Sequence, residues 1–194
     1  GYCLWQTGRQ SVEALAQQWM AEAGDRVHLY LRNYLKTPHL INRLNARAIQ
    51  QGQLNISQSQ VLQQTFLQQV QELGALRLHF SNPNGGLVGA GNDERGFTMS
   101  STEGFRQGQL QIYTVDRQGR RLQKIVDLPN YDARQRPFYQ KAVAAGQPTW
   151  TPIYSYVPMS SGLGIAASYP VYNADRQLQG VLSADLTLSA LTQF

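Results

Sequence analysis

Residues 130–139 read Asn-Tyr-Asp-Ala-Arg-Gln-Arg-Pro-Phe-Tyr, which sets the rings of Tyr131, Phe138 and Tyr139 and the guanidinium groups of Arg134 and Arg136 around Pro137. A guanidinium presents a rigid fork of donors that fits a carboxylate in two places, and aromatic walls that exclude water strengthen the pairing. Further along stand Trp150 and Tyr154, and between Gly180 and Leu186 a single acid, Asp185, interrupts an apolar strand pattern. Buried carboxylates are rare unless paired. A cationic pole at Arg136 and an anionic pole at Asp185, both among rings, describe a pocket for a small zwitterion, an amino acid or a related amine. The plainer readings stand beside it: the rings as core, and Arg136 as a surface partner of Asp132.

The elements that must position these residues begin with helices. Val12, Leu15, Ala16, Trp19, Ala23, Val27, Tyr30, Leu31 and Tyr34 recur at three- and four-residue steps, one face of a helix. That helix is expected to start at Ser11, a suitable N-cap, and to stop near Leu35, because Pro38 disfavours helical geometry at Thr37. At about 38 Å its length suits a spacer or a dimer stalk, or a helix laid along one sheet. Leu40 to Gln50 continues helically, Gly52 breaks it, and Ser59 to Leu73 forms another helix with Val61, Leu62, Thr65, Phe66, Gln69, Val70 and Leu73 inward and its glutamines on the surface.

Strands follow. Leu76 to Phe80 alternates apolar with polar, the period of a half-buried strand, and Asn82 to Gly86 turns it back through Leu87 to Ala90. Gln109 to Val115 and Leu122 to Val126 make a second hairpin around Asp116 to Gly119. Pro137 suits the first position of a short helix that Gly146 ends, and Leu163 to Val171 and Gln179 to Leu188 form the last hairpin. Helices first and an antiparallel sheet afterwards give an α+β fold: residues 1–58 as long helix and connector, residues 59–194 as a PAS-like module.

From Tyr131 to Asp185 the chain resembles the ligand-binding part of double Cache sensor domains, the extracytoplasmic portions of bacterial chemoreceptors, histidine kinases and nucleotide cyclases. The resemblance rests on Tyr131, Arg136, Phe138 and Tyr139, on Trp150-Thr151-x-x-Tyr154, on the Ala167 to Tyr172 strand, and on Gly180 through Asp185. It implies that Arg136 and Phe138 hold a ligand carboxylate, that Tyr131 and Asp185 meet an ammonium group, and that Tyr139, Trp150 and Tyr154 complete the ligand-binding set. The chain departs from the pattern at Phe138, where Trp is usual and where Phe has no indole N–H to donate. The resemblance also implies a periplasmic or extracellular module of a membrane-anchored receptor that is not an enzyme, that signals through its long helix and that pairs through it as a homodimer, with a second module expected beyond residue 194. The alternatives are a ligand-free spacer and a sensor of plain carboxylates.

Composition agrees with a sensor fragment. The chain has 194 residues and is 42% hydrophobic, enough for one full core, and no run approaches a membrane span. Gly1-Tyr2-Cys3-Leu4-Trp5 reads like the outer lip of a membrane helix. A single cysteine, Cys3, leaves no internal disulfide and no thiolate cluster. His28, His39 and His79 lack metal-ligand spacing and are expected at surfaces or interfaces, so neither metal nor cofactor is expected. The net charge of +5 is scattered, without the basic patch that nucleic acid requires.

Overall fold

The computed structural model describes residues 12–18, 25–74, 76–156 and 163–187. Residues 12–18 are helical (α1), followed by α2 (Asp25–Gln50) and α3 (Ser59–Leu73). The strands are β1 (Arg77–Ser81), β2 (Leu87–Asp93), β3 (Gly96–Thr102), β4 (Gly108–Val115) and β5 (Arg121–Tyr131). A short helix, α4 (Pro137–Ala145), precedes β6 (Thr149–Trp150), β7 (Tyr154–Ser155), β8 (Leu163–Tyr172) and β9 (Leu178–Thr187). The nine strands of the described residues form one antiparallel sheet ordered β5-β4-β3-β2-β1-β9-β8-β6, with β7 also on β8, so the last described strand lies beside the first. The fold is α+β and PAS-like, as its sequence predicts.

Alternation along the central strands builds a core on each face. Leu78 and Phe80 of β1 and Leu182, Ala184 and Leu186 of β9 turn to one side, where Leu62, Phe66, Leu67 and Val70 of α3 and Ile41, Ala46 and Ile49 of α2 meet them. On the other side Leu87, Leu110, Ile112 and Val181 pack beneath Tyr131, Phe138, Tyr139 and Ala142. The first layer covers the sheet, and the second encloses the site.

Several expectations are corrected. The long helix does not stop at Leu35; α2 runs through Pro38 to Gln50. Pro38 takes one donor out of the ladder, yet its turn is held by the Thr37 hydroxyl, which donates to the Asn33 carbonyl at 3.0 Å. Beyond it, packing of Ile41 and Ile49 and a buried hydrogen bond from Asn42 Nδ2 to the Ala167 carbonyl, 2.9 Å, fasten the helix to β8. The expected cap at Ser11, with Trp19 and Ala23, lies outside the described residues. On α3 the inner face carries Leu67, while Val61 is exposed.

Not all glutamines of α3 are mere surface: Gln63 donates to the Ser100 carbonyl at 2.8 Å, and Gln69 exchanges amide hydrogen bonds with Asn45 at 2.9 and 2.7 Å. Strand β3, with its Phe97-Thr98-Met99-Ser100 alternation, is absent from the sequence-based expectation and stands between the two predicted hairpins. No helix among the described residues is long and apolar enough to cross a membrane.

Candidate functional site

The segment that carries the chemistry enters from β5. Asn130 adopts a left-handed φ of 61°, a conformation that asparagine tolerates better than most residues, and Tyr131 follows it into the interior. Asp132 then caps its own turn, accepting from the Arg134 backbone N–H at 3.0 Å and from Arg134 Nε at 2.9 Å. The Ala133 N–H reaches the Gly85 carbonyl in the β1–β2 turn at 3.0 Å. Gly85 is obligatory there: its φ is +81°, and a Cβ would stand 2.4 Å from Asp132 Oδ1. Asp132 therefore pairs with Arg134, and Arg136 is left for the pocket. Pro137 opens α4, which buries Phe138 and Tyr139, and Gly146 closes it in the left-handed region at φ 64°.

Beneath this segment lies a cavity of about 50 Å³, room for about three to five water-sized groups at about 10–15 Å³ each. Tyr131, Arg136 and Phe138 line it from above, and Tyr154 and Tyr156 from the side. Leu87, Ser100, Leu110 and Ile112 contribute from β2, β3 and β4, and β1 and β9 contribute Arg77, His79 and Asp185. Five of the seven residues expected from sequence thus share one cavity. Tyr139 is buried in α4 outside it. Trp150 faces the helix layer, where His39 meets it edge-on with ring centroids 4.8 Å apart beside a second, larger cavity.

Asp185 is not a vacant anion. In the β1–β9 register Arg77 stands directly opposite Asp185, and His79 opposite Ser183, so all four side chains share a face. Oδ2 accepts hydrogen bonds from Arg77 Nε at 3.0 Å and His79 Nε2 at 3.0 Å, with Arg77 Nη2 2.9 Å away in the ion pair; Oδ1 accepts from Ser183 Oγ at 2.7 Å. Asp185 is only 3% exposed. Burial works to raise its pKa, but His79, Arg77 and the hydrogen bonds outweigh burial and hold the carboxyl down at about 2.

Arg77 also lies over the Tyr156 ring, 4.5 Å from its centroid. The Tyr156 hydroxyl is fixed between the Ile165 and Leu186 carbonyls at 2.7 and 2.9 Å, and its ring rests where a Cβ on Gly164 would come within 2.3 Å. His79, expected at a surface or an interface, is 3% exposed, edge-on to Phe138 with centroids 4.5 Å apart, and its Nδ1 finds no partner among the described residues.

Arg136 is different. Its Nη2 donates to the Ser155 carbonyl at 2.8 Å and its guanidinium carbon is 5.8 Å from the Tyr154 ring centroid, but no carboxylate among the described residues pairs with it. Burial pushes the Tyr131 and Tyr154 phenols far above their ordinary pKa, against the pull of Arg77 and Arg136, so both remain hydrogen-bond donors. The cavity therefore combines a compensated Arg77–Asp185 pair with one uncompensated guanidinium and two neutral phenols, a donor set suited to an anion.

Sequence reading missed Arg77, His79 and Tyr156. The first two were visible as the polar half of an alternating strand, but that half faces the site and not solvent. Among the described residues no group of histidine, cysteine, aspartate or glutamate is arranged to hold a metal ion.

Residues 94–193 match the family model described as the methyl-accepting chemotaxis protein-like, first PDC sensor domain. No curated protein sequence matches the chain. Among solved structures, the ligand-binding domain of the Pseudomonas aeruginosa PAO1 amino acid chemoreceptor PctB, in complex with L-Arg, superposes with a TM-score of 0.51 at 21% identity, over 82% of this chain and 52% of that one. The ligand-binding domain of the amino acid chemoreceptor PctC from the same strain, in complex with GABA, gives 0.50 at 18% identity, over 82% and 60%. A structure described as methyl-accepting chemotaxis protein X gives 0.54 at 13% identity, over 98% and 64%. These likenesses establish a shared fold, and the chain spans about half the length of the PctB domain.

Proposed function

This chain belongs to the methyl-accepting chemotaxis protein-like family of first PDC sensor domains, and we propose that it is the ligand-sensing module of a membrane-anchored receptor, facing away from the cytoplasm. Its cavity binds a small carboxylate-bearing molecule without turning it over. The observation that carries this reading is Arg136: a guanidinium without a carboxylate partner among the described residues, at a cavity that Tyr131 and Tyr154 also line. Such a fork is well matched to two carboxylate oxygens. Phe138 adds an apolar wall to the same cavity. The amino acid ligands of PctB and PctC fit the same requirement.

Ligand occupancy would pass to the long helix α2 through β8 and β9, to whose opposite face α2 is packed. A homodimer through α2 is the arrangement that would carry such a signal to a membrane.

A melting-temperature screen across short organic acids, amino acids, amines and their amides tests the reading. A ligand at 100 times its Kd adds about 2.7 kcal/mol, about 5 to 10 °C for a domain of this size. The shift is expected for carboxylates, absent for the amides, and lost in Arg136→Ala. A ligand whose shift survived that substitution would place the sensory site elsewhere.

A further inference from the structure

The cavity carries its own cation at the place where the sequence alone expects the ammonium group of a ligand. Arg77 and Asp185 are cross-strand partners, and the carboxylate already accepts three hydrogen bonds, from Arg77 Nε, His79 and Ser183, within an ion pair that also brings Arg77 Nη2 to 2.9 Å. A carboxylate has about four lone-pair sites, so Asp185 has its charge paired and three of those sites taken without any ligand. We infer that the ligand is a short carboxylate lacking an α-ammonium group, with the Arg77 guanidinium standing where an amino acid would bring its own cation. This inference rests on the cavity being the sensory site.

Charge agrees with this assignment. Arg77 and Asp185 cancel, and Arg136 remains, so an incoming anion neutralises the cavity. A zwitterion instead brings a second cation close to Arg77 in a place of low dielectric, where like charges repel strongly. To reach Asp185, the ammonium must displace Arg77 from both its carboxylate contacts and from the Tyr156 face, 4.5 Å away. Displacement is obstructed because the Tyr156 hydroxyl is itself tied to two backbone carbonyls. The cavity of about 50 Å³ admits the carboxylate end of a small acid such as acetate, lactate or succinate.

The experiment is calorimetric titration of the full chain with matched pairs: acetate against glycine, lactate against L-alanine, succinate against L-aspartate, with acetamide as a control for charge. At least one acid is expected to bind ten-fold or more tightly than its amino counterpart, and Arg136→Ala is expected to remove that binding. In Arg77→Gln, which frees Asp185, the acid-to-amino-acid affinity ratio is expected to fall at least ten-fold. If that variant melts too early to titrate, the wild-type ratio decides alone.

Amino acids binding as tightly as their acids, with binding still lost in Arg136→Ala, would overturn the inference and leave the sensory site standing. Binding of acids or amino acids that is indifferent to Arg136→Ala would overturn the sensory site itself. So would no binding by any member of the series.

Discussion

Replacing Asp185 by Asn tests the Arg77–Asp185–His79 cluster as a piece of structure, separately from any ligand. Asn keeps the shape and removes the charge. In the wild type the carboxyl falls from 3.8 to about 2, which at 1.36 kcal/mol per pH unit amounts to about 2 kcal/mol of stability at neutral pH. The variant also leaves Arg77 without its anion, and breaking a buried pair from one side costs about 3–5 kcal/mol. Arg77 keeps the Tyr156 face, and its side chain is 20% exposed, so the expected loss is at the lower end, about 3 kcal/mol.

The pH dependence follows from the sign. A carboxyl whose folded pKa lies below its unfolded value contributes fully above the unfolded value, and the contribution disappears as pH falls through the folded one. For Asp185 the window runs from roughly pH 4 to pH 2, with about half the contribution gone at pH 3. Urea unfolding of both proteins at pH 7, 4 and 3 should show the wild-type advantage constant from 7 to near 4 and shrinking below. An Asp185→Asn protein as stable as wild type at pH 7, or a difference that stayed constant down to pH 3, would refute the ion-paired cluster.

Three further outcomes are expected. Gly85→Ala should cost about 1–3 kcal/mol in thermal unfolding, since the new Cβ meets Asp132 at a positive φ and the turn that delivers Tyr131 must shift. Tyr156→Phe should cost about 1–2 kcal/mol and weaken binding of a ligand found by the screen, because the ring loses its two carbonyl anchors while Arg77 loses a fixed surface. Phe138→Trp should destabilise by about 1–3 kcal/mol, because the ring is 3% exposed and set against His79, with little room for an indole; an unchanged melting temperature would show that the wall yields.

Local signals identified α4 almost to the residue, because Pro137 and Gly146 fix its ends by backbone chemistry that needs no tertiary context. The same holds for the hairpins, whose turns carry Asn, Asp and Gly. Pro38 misled because its cost is local and known, whereas the packing of α2 that offsets it comes from Ile41, Asn42 and Ile49 meeting strands formed much later in the chain. Trp150 misled for a similar reason: a strand of two residues offers no alternation from which to choose a face. Tyr131, Arg136 and Phe138 are close in sequence, so their convergence was legible. The partners of Asp185 were not, since Arg77 lies 108 residues away and only the β1–β9 register unites them.

That register has a consequence for how the molecule comes into being. β1 finds β2 across a short turn, but its other edge stays open until β9 arrives, near the end of the described chain. An open strand edge with hydrophobic faces invites pairing with other chains, and late long-range pairing is slow. Until β9 docks, Arg77 and His79 have no anion, and the cavity has no floor beneath Tyr131. Among the described elements the cavity proposed as the sensory site is therefore the last to assemble, and a ligand held there would act as a latch on the closing strand, guarding a nascent sheet against aggregation.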